Sequence, residues 1–231
     1  MPARAPTRRH RRSPAARCSS PLLGRSLTAV AQLRARLGKA TPPREELIAE
    51  HVAGRSFVDV GCMWTIHGAL CFAAEDAGAS TVTGVDVMEP SAQFQAELQR
   101  RDSKVRFVRG DLHEPATVLQ IGRHDVVWCS GVLYHAPHPL LTLERLRELT
   151  SGTLLLATET IAETPGRRGT CVISPGRDEH PNAEPATGPA QGFGPWYWGI
   201  APSALRTMLA LSGFQVVEEH RTPFHVTVVA R

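Results

Sequence analysis

The sequence predicts an α/β fold: a mostly parallel sheet covered on both faces by helices, with an antiparallel last strand. Two observations predict most of it. Short apolar strands alternate with amphipathic helical segments from about residue 56 to residue 212, and the first three of those strands each carry an aspartate at or near the carboxyl end. A third observation sets the last strand. The segments 215–220 and 224–230 are separated only by Arg221-Thr222-Pro223, too short for a parallel crossover, so the final strand must turn back.

The elements follow in order. Ser26–Leu37 places Leu27, Val30, Ala31, Leu33 and Leu37 on one side, with Ser26 as N-cap and Gly38 beyond the end, which predicts a short helix at 26–37. After Pro42-Pro43 comes a strand near 56–61, a helix near 66–78, a strand at 81–86, a helix at 90–101 and a strand at 105–110. A strand at 125–130, a helix at 139–150, a strand at 153–160 and a helix at 202–212 precede the closing pair. Residues 162–199, rich in Pro and Gly, show neither periodicity and read as an insert without helix or strand, of the kind that forms a lid. Its far end gathers Trp196, Tyr197 and Trp198, a cluster suited either to core packing or to covering an acceptor. The domain reading is therefore a flexible basic arm over 1–44 and one domain over 45–231.

Charge separates these two parts. The first 44 residues hold eleven Lys and Arg and no acid, leaving 15 basic against 22 acidic residues in the rest of the 231-residue chain. An acidic body lacks the clustered positive charge that neutralises phosphates, so nucleic acid is not the expected partner and a small molecule is. The run Arg8-Arg9-His10-Arg11-Arg12 reads as a solvated tail; Pro21 and Arg25 interrupt the apolar segment that an export signal needs. The five cysteines form no CxxC pair, which argues against a disulfide framework and against a structural zinc site, and no metal is expected. With no apolar run long enough to span a bilayer, the expected setting is the cytoplasm.

The chemistry gathers at strand ends. Ser56–Gly61 is an apolar strand that breaks at Gly61 and leads towards a helix, and Asp59 lies inside it. The strands at 81–86 and 105–110 close on Asp86 and Asp111. In an open parallel sheet, ligands bind outside the carboxyl ends of the strands, where the strand order reverses. Asp86 stands where a carboxylate would accept hydrogen bonds from vicinal ribose hydroxyls. A dinucleotide loop would need three glycines, and here Gly61, Met63 and Ile66 occupy those positions; no Gly-Lys-Ser/Thr phosphate loop is present either.

Four motifs in order, Val58-Asp59-Val60-Gly61-Cys62, Gly84-Val85-Asp86, Gly110-Asp111-Leu112 and Asp125–Leu133, resemble those of the class I S-adenosylmethionine (SAM) methyltransferases, over roughly residues 50–231. The run Gly131–His135, Pro139-Leu140, Trp196–Trp198 and Leu205–Phe214 is most similar to the branch of tRNA wobble-uridine carboxymethyl-transfer enzymes. The resemblance implies a Rossmann-like sandwich, SAM as cofactor and a site assigned residue by residue. Gly61, Cys62 and Met63 would border the methionine moiety, with Asp59 organising their loop. Asp86 would hold the ribose and Val87 would lie beside it, while Asp111 and the Leu112 amide would read the adenine edge. Ser130 and Tyr134 would line the sulfonium side, and the Cys129 carbonyl would face the amino group. Met63 and Thr65 replace the usual glycines, and His225 stands where that tRNA branch carries an arginine, which weighs against a tRNA substrate.

Methyl transfer is an in-line displacement, so alignment does most of the work and a base is needed only when the acceptor must lose a proton. His135, just past the fourth strand, is the first candidate for that base, with Tyr134 beside it as the second catalytic residue; His67 and His225 are lesser candidates. His67 reads as a helix-face residue, and His135 with His138 forms an H-x-x-H pair lacking further ligand spacing. The expected function is a SAM-dependent methyltransferase acting on a small molecule. The alternatives are a SAM-consuming cyclase or lyase releasing methylthioadenosine, a tRNA-modifying enzyme, and a SAM-binding protein without turnover.

Overall fold

The computed structural model describes residues 41–173 and 198–231. The arm, the helix expected at 26–37, Trp196 and Tyr197 lie outside the described residues.

A seven-stranded sheet forms the frame. In chain order its parallel strands are β1 (Ser56–Val60), β2 (Thr81–Asp86), β3 (Arg106–Arg109), β4 (His124–Ser130) and β5 (Thr150–Glu159). Two short strands, β6 (Cys171–Ile173) and β7 (Trp198–Ile200), pair with each other outside it. The chain then closes with β8 (Val216–Arg221) and β9 (His225–Ala230). The sheet order is β3-β2-β1-β4-β5-β9-β8, with β9 antiparallel to both of its neighbours. The order reverses between β1 and β4, the position where this architecture opens a crevice at the carboxyl edge.

Both faces are covered, which is why the central strands read as nearly continuous apolar runs. On one face Phe57, Val126, Trp128, Leu155 and Val229 pack under α1 (Arg44–Val52), α2 (Ala69–Asp76) and α3 (Ala92–Arg101). On the other, Val58, Val127, Leu154 and Val228 meet α4 (Pro115–Ile121), α5 (Pro139–Leu149) and α6 (Pro202–Leu211). At the register irregularity where β4 meets β5, Gly152 lets the strands close up; a Cβ there would stand 2.6 Å from the Asp125 carbonyl oxygen.

Four expectations need correction. Two short helices stand where the sequence suggests none, α1 from Arg44 ahead of β1 and α4 between β3 and β4. The insert at 162–199 does hold strand: β6 and β7 lie at its two ends, and the described part of the segment runs back along the chain after it. Ile161 N–H donates to Ile200 O at 3.2 Å and Ala201 N–H to Thr170 O at 3.0 Å. The helix expected from residue 66 starts at Ala69, because Thr65, His67 and Gly68 adopt φ of 58°, 48° and 75°, the left-handed region that no helix continues through. His67 is therefore a turn residue and not a helix-face one; its Nδ1 lies 3.1 Å from the hydroxyl of Ser91, the N-cap of α3.

Candidate functional site

The loop after β1 shapes the crevice. Gly61 takes φ 85° and donates its N–H to Val85 O at 2.9 Å, so the chain turns over the edge of β2; a Cβ on Gly61 would meet Val132 Cγ2 at 2.4 Å. The loop closes when Gly68 N–H reaches Cys62 O at 2.7 Å. Between these points the side chains divide. Met63 is buried in the core that holds Phe72 and Phe94, while Trp64 is 49% exposed and Thr65 faces solvent. The turn thus accommodates a methionine and a threonine: one side chain goes inward and the other accepts a left-handed φ that costs a β-branched residue about 1–2 kcal/mol.

Asp86 organises this loop, a role the sequence reading gave to Asp59. Its Oδ2 accepts the Met63 N–H at 2.7 Å and its Oδ1 the Met88 N–H at 2.9 Å. Burial raises its pKa, and the amides of Met88, Met63 and Val87 pull it back towards the ionised form. A carboxylate has about four acceptor lone pairs, so these amides leave it some acceptor capacity for a ligand hydroxyl. Val87 follows it, half-buried.

Asp59 is a different kind of group. It is 1% exposed, its Oδ2 accepts only the weak S–H of Cys71 at 3.7 Å, and burial, with Asp86 nearby, pushes its pKa up to about 7 against the pull of Cys71 and Arg44. The Cys62 and Cys71 sulfurs close over Gly84, at 2.9 and 3.1 Å from where a Cβ would be. A hydrogen bond between the two thiols favours the Cys62 thiolate, but burial and the two aspartates outweigh it, so both thiols stay protonated.

The β3 and β4 ends complete the edge. Asp111 caps its own turn, with Oδ1 accepting the His113 N–H at 2.8 Å, and the Leu112 side chain is buried in the core below. Cys129 is buried, with a thiol pKa driven far up by burial, whereas Ser130 stands half-buried at the rim. Tyr134 is half-buried behind Gly131; its carbonyl accepts the Trp198 N–H at 2.8 Å, which ties β7 to the crevice, and its ring lies 4.3 Å from the exposed His135 ring. His138 turns away to sit 6.0 Å from the His113 ring, and among the described residues no group of three His, Cys, Asp or Glu side chains could hold a metal.

Every residue predicted for the cofactor therefore lies in β1–β4 or the loops at their carboxyl ends. Asp86 is buried and Ser130 half-buried there, while the side chains of Met63, Leu112 and Cys129 are buried. The sequence reading overlooked Arg44 at the start of α1 and Glu159 at the end of β5. Glu159 carries the same signal as Asp86 and Asp111, an acid closing a strand, and could have been found by it.

Residues 58–155 match the family model described as a methyltransferase domain. The chain is 38% identical over 94 residues to a ubiquinone biosynthesis O-methyltransferase of Bordetella avium (40% of this chain, 36% of the relative). It is 33% identical over 131 residues to a tRNA U34 carboxymethyltransferase of Shewanella piezotolerans (49% and 35%). These matches span about a third of the length of either curated relative. In fold it is similar to the N-terminal domain of EvdMO1 solved with SAH bound, at TM-score 0.62 and 19% identity over 84% of this chain and 82% of that one. It is similar too to a 1,6-didemethyltoxoflavin-N1-methyltransferase of Burkholderia thailandensis, at TM-score 0.61 and 18% identity over 94% and 92%. Residues 58–155 thus carry the match to a methyltransferase domain, and the fold around them is similar to that of solved SAM-dependent methyltransferases.

Proposed function

We propose that this chain binds SAM at the carboxyl edge of β1–β4 and transfers its methyl group to a small-molecule acceptor. The observation that carries the reading is Asp86, whose two oxygens pin the β1 and β2 loops by the Met63 and Met88 amides while keeping acceptor capacity at the crevice. The donor set fits the cofactor: two carboxylates at the ends of β2 and β3 and a serine hydroxyl at the end of β4. SAM supplies a methyl group already activated on a sulfonium.

The protein's part is to hold and orient. Asp86 takes the ribose hydroxyls, Asp111 with the Leu112 amide takes the adenine edge, and the Gly61–Met63 backbone flanks the amino-acid end. Ser130 and Tyr134 flank the methyl side, and the half-buried Trp198 narrows the access of water. Because the leaving group is activated in advance, this alignment provides most of the rate. Burial of Met63 in the core withdraws the main support for a bent cofactor undergoing cyclisation, and the acidic body withdraws support for a tRNA acceptor.

Titration calorimetry with SAM and with S-adenosylhomocysteine tests the reading. Saturable binding is expected, with a loss of at least about tenfold in affinity for Asp111→Ala, whose side chain accepts the His113 N–H within its own turn, and a greater loss for Asp86→Ala. Absence of binding by the wild-type protein, or unchanged affinity in both variants, sinks it.

A further inference from the structure

Beyond the predicted cofactor residues, one further group of ionisable side chains gathers at the same edge. Glu159 ends β5 and pairs in register with His225, the first residue of β9, and the field of Arg44 from the start of α1 acts on both His225 and Asp59. The pairing fixes where they stand. Ser130 of β4 is in register with Ala157 of β5, which faces Thr227 of β9, so Glu159 and His225 lie two residues further out on the same sheet face. That places them about 7 Å beyond the Ser130 rim and about 5–10 Å to its side. His225 is half-buried, whereas His135 is exposed across the crevice with its ring against Tyr134.

We propose that His225 is the catalytic base that takes the proton of a hydroxyl acceptor, with Glu159 and Arg44 as its positioning residues. The proposal rests on the methyltransferase reading and names its acceptor class. A hydroxyl must lose its proton as the new bond forms, whereas a neutral amine can take the methyl group first and shed its proton afterwards. Its oxygen bonds to the methyl carbon as the sulfur–methyl bond breaks, the sulfur keeps that electron pair, and the hydroxyl proton passes to the imidazole. Burial first, and then Arg44, lower the His225 pKa against the opposing pull of Glu159, so the ring is neutral and able to accept a proton near pH 7. The half-buried Tyr134 ring past the end of β4 suits a planar ring, which makes a phenolic hydroxyl the acceptor of choice.

Two measurements test this, the first without cofactor or acceptor. NMR titration of the His225 ring is expected to show a pKa below 6.5, rising in Arg44→Gln and falling in Glu159→Gln; a ring insensitive to both overturns the pairing. The second compares methylation of catechol with that of a nitro-substituted catechol, already ionised at neutral pH. His225→Gln should lower the catechol rate by about 100-fold or more and the nitrocatechol rate by about tenfold less, with SAM affinity retained. Equal losses on both acceptors, no loss on catechol, or no turnover of either by a wild-type protein that binds SAM overturns the proposal. Failure to bind SAM at all counts instead against the methyltransferase reading.

Discussion

Asp59 holds its proton in the fold up to about pH 7, against an ordinary value of 3.8, because no strong donor compensates its burial. The folded chain therefore binds more protons than the unfolded chain between about pH 4 and 7. Its stability falls as pH rises across that window and stays lower above it. Asp59→Asn removes the titration at almost constant volume. Thermal unfolding of this variant should match wild type near pH 4 and exceed it at pH 8, by up to about 4 kcal/mol. A wild-type melting temperature that climbs between pH 5 and 8 would contradict the burial argument. Met63 gives a second residue-scale prediction. As a buried core side chain it should cost about 2–4 kcal/mol of stability when cut to alanine, while calorimetric SAM affinity changes by less than about threefold. The reverse pattern would return Met63 to the cofactor surface.

Among the elements, the start of the 162–199 segment is fastened to α6 by one carboxylate. Glu163 accepts the Ser203 N–H and hydroxyl, both at 2.7 Å, at the start of α6, and Gly169 N–H donates to the same hydroxyl at 2.9 Å. Glu163→Ala should speed amide exchange across 161–170 by about tenfold while leaving the protection of β4 and β5 unchanged. Uniform loss of protection would show a global effect instead. The same scale shows where sequence reading works. The sheet strands and α3, α5 and α6 were legible because each shows its period over enough residues. α1 and α4 were not: nine and seven residues give only Leu47, Ile48 and Val52, or Thr117, Val118 and Ile121, to mark a face. β6 and β7 have three residues each and owe their existence to each other, a pairing no local pattern announces.

For the whole molecule, the division of charge between arm and body predicts separable behaviour. Deleting residues 1–40 removes ten of the chain's 26 Lys and Arg and no acid. The shortened protein should keep its SAM affinity and lose any retention on RNA at low salt. RNA binding that survives the deletion would place a nucleic-acid surface on the body. No helix among the described residues is long and apolar enough to cross a membrane.

The sequence by itself determined the sheet, its antiparallel close and the carboxyl-edge position of Asp86, Asp111 and Ser130, because strand period, turn length and a polar residue at a strand end are local signals. Tertiary structure decided what those residues do. It gave the loop to Asp86 and left Asp59 buried and nearly uncompensated. It turned Met63 into the core, and it brought Arg44, Glu159 and His225 together from positions up to 181 residues apart. Burial, register and electric field arise between distant segments, and no stretch of sequence holds them alone.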